Sequence, residues 1–87
     1  MSFEVRLRPA AQKGLDALAK QDYTRIGKII SDLEKNPRPT KVKKLSESGL
    51  WRIRAGNYRV VYTIDEIARA VIVVRVARRR ENTYKGL

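Results

Sequence analysis

The chain has no cysteine and no histidine. The first absence excludes disulfides and thiolate metal sites; the second removes the commonest zinc ligand and the side chain that most readily titrates near neutral pH. No metal or other cofactor is therefore expected, and any proton chemistry must come from arginine, lysine, tyrosine or carboxylates. Paired carboxylates, a Ser/His/Asp set and a phosphate-cradling glycine loop are missing too. No apolar run approaches the ~20 residues needed to span a bilayer; the longest, Ala70–Val74, has only the length of a strand. The opening Met1-Ser2-Phe3-Glu4 lacks the charged-then-apolar layout of a signal peptide, so a cytoplasmic protein with no membrane partner is expected. Acidic residues are scarce: 9 Asp and Glu stand against 20 Lys and Arg, a formal charge of +11 over 87 residues. A field that strong points to anionic partners such as nucleic acid or an acidic protein.

What is present is most concentrated between Gly49 and Tyr62. Gly56-Asn57 reads as a two-residue turn of the kind that favours glycine first. Pairing then runs Ala55 with Tyr58, Arg54 with Arg59, Ile53 with Val60, Arg52 with Val61 and Trp51 with Tyr62. Directly opposed residues share a face, and faces alternate along each strand. Trp51, Ile53, Tyr58, Val60 and Tyr62 form an apolar face suited to a core, while Arg52, Arg54 and Arg59 occupy the other. Arg54 and Arg59 oppose each other directly, an unfavourable arrangement unless an anion joins them. A polyphosphate chain is the natural anion.

The flanking sequence supplies the rest of one domain, residues 1–87. Phe3–Arg8 alternates apolar and polar residues, as a half-buried strand does. Pro9 suits the first turn of a helix, and Ala11, Leu15 and Leu18 carry that helix to about Lys20. Asp22 is the expected N-cap of a second helix, in which Ile26, Ile29, Ile30 and Leu33 form an apolar stripe. Asn36-Pro37-Arg38-Pro39 stops it. Thr40–Leu45 is basic, Ser46–Gly49 is a loop by composition, and the hairpin fills Leu50–Asp65. A turn over Asp65–Arg69 leads to a strand over Ala70–Ala77, apolar on both faces at its start and so expected inside the sheet. Arg78–Leu87 is a basic tail. The order β-α-α-β-β-β predicts an α+β fold, with a helical hairpin packed on one face of a mainly antiparallel four-stranded sheet.

That arrangement leaves one sheet face open. Ile72, Val74 and Val76 are expected to face the helices, which puts Arg75, Ala77 and Arg79 on the open side. Five arginines, Arg52, Arg54, Arg59, Arg75 and Arg79, then converge. Lys41, Lys43 and Lys44 stand at the rim, Arg78 lies beside them, and Tyr84 sits in a tail that can fold over the face. Guanidinium groups grip phosphate bidentately, and an aromatic ring stacks on an unpaired base, so this is a site for single-stranded RNA. Lys41, Lys43, Lys44, Arg75 and Arg78 are the expected RNA-binding residues. The plain alternative is a solvated basic face. The Arg54–Arg59 opposition and the net charge favour a functional site over it.

Taken in order, several segments resemble the RelE branch of the RelE/ParE toxin superfamily, the toxins of type II toxin–antitoxin pairs. They are Arg8–Leu15, Leu33–Pro39, Val42–Leu45, Gly49–Asp65, and Val74–Glu81 followed by Tyr84, which together span nearly the whole chain. The resemblance implies a small toxin that enters the ribosomal decoding site and cuts the messenger there without a metal, the ribose 2′-oxygen attacking its own 3′-phosphate. It implies catalytic positions at Arg52, Arg54, Arg59, Arg79 and Tyr84. Arg59 would clamp the phosphate, Arg79 would sit near the leaving oxygen, and Tyr84 would stack on or deprotonate the nucleotide. Arg52 and Arg54 stand where relatives often have lysine, and Ala77-Arg78-Arg79 stands where many have Gly-His-Arg. Arginine stays charged and makes a poor general base, which leaves proton transfer to Tyr84. The resemblance also implies a cognate acidic antitoxin, a hetero-oligomeric complex with it, and DNA binding supplied by that antitoxin. Two rival readings are a ParE-like toxin that poisons DNA gyrase and a non-catalytic nucleic-acid-binding module or decayed toxin. The converging basic set argues against the first, since that branch generally lacks it.

Overall fold

The computed structural model describes residues 2–45 and 48–78. Among them the chain forms strand β1 (Glu4–Leu7), helices α1 (Pro9–Asp16) and α2 (Lys20–Asp32), and strands β2 (Lys43–Leu45), β3 (Leu50–Ala55), β4 (Tyr58–Asp65) and β5 (Ala70–Arg78). The sheet is five-stranded and mixed, in the order β1-β5-β4-β3-β2. The α+β class and the interior place of β5 match expectation. The strand count does not, because β2 is only three residues long and reads in the sequence as a basic connector. β1 runs parallel to β5, and the other pairings are antiparallel. None of the described helices is long and apolar enough to cross a membrane.

The helical hairpin is tighter than its periodicity indicates. α1 ends at Asp16, and α2 begins at Lys20 with Ala19 as its N-cap, where no side chain bonds the cap. Asp22 therefore does not cap α2. It lies in the first helical turn, where a carboxylate complements the exposed N–H groups. There it accepts hydrogen bonds from Arg25 and from the Tyr58 hydroxyl, each at 3.3 Å. The stripe behaves as read: Ile26, Ile30 and Leu33 are buried, and Ile29 packs against them.

The β3–β4 register is the one the sequence dictates, from Ala55 opposite Tyr58 to Trp51 opposite Tyr62, with Arg54 facing Arg59. The turn turns on Gly56, whose φ of +58° is the left-handed region that only glycine enters without strain. Tyr58, Val60 and Tyr62 project into the helix-facing core, and Trp51 packs on its margin. The Tyr62 hydroxyl donates to the Pro37 carbonyl at 2.7 Å, tying the segment after α2 to the sheet. Burial pushes this phenol well above its ordinary pKa.

β5 departs from its expected parity. Val60 pairs with Val76 and Val61 with Arg75, but the next partner of Tyr62 is Val73, so Val74 is an extra, bulged residue. A bulge places two residues opposite one and reverses the side on which every earlier residue emerges. Val71 and Val73, both wholly buried, and Val76 therefore join the helix-facing core. Ile72 pairs with Thr63 on the opposite face. The expectation that Ile72 and Val74 face the helices is thus overturned, while Val76, Arg75 and Ala77, beyond the bulge, lie as expected.

Candidate nucleic-acid interface

Two cross-strand rows build the face away from the helices. The first is Lys43–Arg52–Val61–Arg75, running across β2, β3, β4 and β5. The second is Arg54–Arg59–Ala77, across β3, β4 and β5. Strands lie about 4.8 Å apart, so the first row spans about 14 Å of backbone and the second lies one pleat away. Four guanidinium groups and one ammonium thus rise from a patch a few nucleotides wide. The bulge at Val74 makes this possible: it keeps Arg75 on this face while Val71 and Val73 stay in the core.

The face is not uniformly wet. Arg52 is only 7% exposed, Val61 beside it is fully buried, and the Nε atoms of Arg52 and Arg59 are both buried. Arg59 and Arg75 are half-buried and Arg54 is exposed. Guanidinium groups set at neighbouring positions of one sheet face repel one another, and an anion bound among them relieves that repulsion. Among the described residues no group of three carboxylates stands ready to hold a metal ion. The carboxylates on this face lie, among the described residues, at its far end, where Glu4 pairs with Arg6 at 2.7 Å and Asp65 closes β4.

The lysine cluster, which looks like one rim in the sequence, divides three ways. Alternation along β2 puts Lys43 on the arginine face, opposite Arg52, and turns Lys44 to the other side opposite Trp51. There the Lys44 ammonium lies 5.9 Å and the Arg38 guanidinium 5.1 Å from the Trp51 ring centre. Lys41 lines a cleft of about 610 Å³ between α2 and β3, with Ile29, Leu33 and Ile53 in its wall. Arg78 is opposite Tyr58, its guanidinium 5.9 Å from that ring, and so also lies on the helix-facing side. Arg52, Arg54, Arg59, Arg75 and Lys43 are therefore brought together, whereas Lys41, Lys44 and Arg78 are not. Arg79 and Tyr84 lie outside the described residues. What sequence reading missed is that, of the three lysines it set at the rim, Lys43 alone shares the arginine face. The missing signal was the register of a three-residue strand.

A small α+β domain with a cationic sheet face is a class of protein that comparison with known proteins makes specific. Residues 5–83 match the family model described as the ParE toxin of the type II toxin–antitoxin system parDE. A relative named as toxin RelE1, from Methanocaldococcus jannaschii, is 32% identical over 90 residues, covering 99% of each chain. Among solved structures, the archaeal RelE–RelB complex from Pyrococcus horikoshii superimposes with a TM-score of 0.82 at 29% identity, over 93% of this chain and 99% of that one. The toxin–antitoxin complex RelBE2 from Mycobacterium tuberculosis gives a TM-score of 0.80 at 27% identity, over 91% and 100%. The chain belongs to the RelE/ParE superfamily of type II toxin–antitoxin toxins, and its relatives place it with the RelE type.

Proposed function

We propose that this chain is a ribosome-dependent endoribonuclease that cleaves messenger RNA and so arrests translation. The observation that supports this reading best is the convergence of Arg52, Arg54, Arg59 and Arg75 on one sheet face. Cleavage by internal attack needs the 2′-hydroxyl deprotonated, the crowded phosphate neutralised and the leaving 5′-oxygen protonated. Arg59, half-buried at the centre of the patch, clamps the phosphate. Arg52 and Arg54 hold and neutralise the strand around it. Arg79 stands by the leaving oxygen, and Tyr84 takes the 2′-proton or stacks on the base. The products are a cyclic phosphate end and a free 5′-hydroxyl. No metal enters these steps.

The relatives from P. horikoshii and M. tuberculosis are solved as complexes with antitoxins. By the same reading this chain has a cognate antitoxin whose acidic segment covers the basic face in the cytoplasm, in a hetero-oligomer that binds DNA through the antitoxin. The experiment is to add the chain to a translating extract and map the 5′ ends of messenger fragments. Cuts clustered in the codon entering the decoding site are expected, and Arg59→Ala lowers their rate by roughly 10²–10³-fold, as loss of a donor to a developing anion does. Intact messengers together with gyrase-dependent DNA breaks would replace this reading with the ParE one.

A further inference from the structure

Given the endoribonuclease reading, on which this rests, we propose that Lys43 is the proton donor to the leaving 5′-oxygen. Guanidinium groups stay protonated and transfer protons poorly, so the arginines of the face can bind and neutralise but cannot serve the departing alkoxide well. In the two rows that form the patch, Lys43 is the single ionisable side chain among the described residues that is not a guanidinium. Its register directly opposite Arg52 puts both side chains on the same face, beside the phosphate that the proposed function gives to Arg52 and Arg59. A lysine ammonium carries a proton of the kind a general acid gives up.

The surroundings of Lys43 leave it available. It lies exposed on the edge strand β2 and, among the described residues, no carboxylate pairs with it, unlike Lys28, which holds Asp32 at 3.4 Å. Its neighbours in sequence are committed elsewhere, Lys44 to the Trp51 ring and Lys41 to the cleft against α2. The 2′-O–H bond breaks and its proton passes to the base, the role proposed for Tyr84 as its phenolate, as the 2′-oxygen bonds to phosphorus. The bond from phosphorus to the 5′-oxygen breaks, its electron pair stays on that oxygen, and the oxygen takes a proton from Lys43 Nζ. Water then reprotonates the amine, and the hydroxide left takes the proton back from the base.

The test uses ribosome complexes programmed with a synthetic message, in two versions. One is ordinary, and one carries sulfur in place of the bridging 5′-oxygen at the cleaved linkage. A thiolate departs without needing a proton. Lys43→Met and the charge-preserving Lys43→Arg should both cut the ordinary message roughly 10²-fold more slowly than the parent chain, and both should cut the sulfur message within about threefold of it. Lys43 is exposed at a sheet edge, so the folded chain is retained in both variants. Ordinary cleavage restored by Lys43→Arg would reduce the residue to a charge and overturn the proposal; so would an equal loss on both messages, which marks a binding role. A parent chain that cuts neither message instead overturns the endoribonuclease reading itself, an outcome separate from either.

Discussion

Two arginines facing each other across a ladder are the residue-scale mark of this molecule. Arg54 and Arg59 are directly opposed, an arrangement that in a sheet costs roughly 0.2–1 kcal/mol relative to a neutral pair. On the proposed function, the fold gives up that stability for a phosphate site. Arg54→Thr replaces the exposed member with a residue that favours strands and removes the repulsion. In urea titration this variant should be more stable than the parent by about 0.2–1 kcal/mol, while its messenger cleavage falls. A merely solvated arginine face predicts the stability gain without the loss of cleavage. The Arg54–Arg59 opposition was legible in the sequence because a Gly-Asn turn fixes the register of everything beside it.

At the scale of elements, legibility follows whether local chemistry sets the geometry. The hairpin did, and every one of its pairs lies as read. β5 did not, because nothing in Val71-Ile72-Val73-Val74 distinguishes the bulged residue; the bulge satisfies the sheet as a whole, feeding Val71 and Val73 to the core and Arg75 to the open face. β2 was invisible for the complementary reason: three residues carry no period, and their pairing is created by β3. Tyr62 is where two elements are joined, through its bond to the Pro37 carbonyl behind α2. Tyr62→Phe leaves that buried acceptor unpaired and should cost about 1–3 kcal/mol near neutral pH. The raised phenol also gives a pH signature. Stabilisation by a neutral phenol whose pKa is higher folded than unfolded is complete below the unfolded value of about 10, and falls as pH climbs towards the folded one. Urea titrations from about pH 9 to 11 should therefore show the parent losing stability more steeply than Tyr62→Phe, and the gap between them narrowing. Parallel curves would mean that the phenol is not shifted.

The whole molecule is a cation of +11, yet total charge does not say which charges meet RNA. The sequence groups Lys41, Lys43, Lys44, Arg75 and Arg78 as contacts; strand alternation keeps Lys43 and Arg75 and turns Lys44 and Arg78 towards Trp51 and Tyr58. Salt dependence separates the two sets, because each phosphate neutralised releases a condensed counterion. Binding of a single-stranded oligonucleotide weakens with log salt by about 0.7 log unit per phosphate contact. Arg75→Gln should therefore flatten the plot of log K against log salt by about 0.7, and Lys43→Gln by a similar amount. Lys44→Gln and Arg78→Gln should shift it by less than about half of that, although all four variants lose the same unit of net charge. If all four flatten it equally, RNA is responding to the field of the whole protein and the sheet face is not a site. If only the first two do, the alternation of a three-residue strand and one bulge has selected the cations that touch the phosphates.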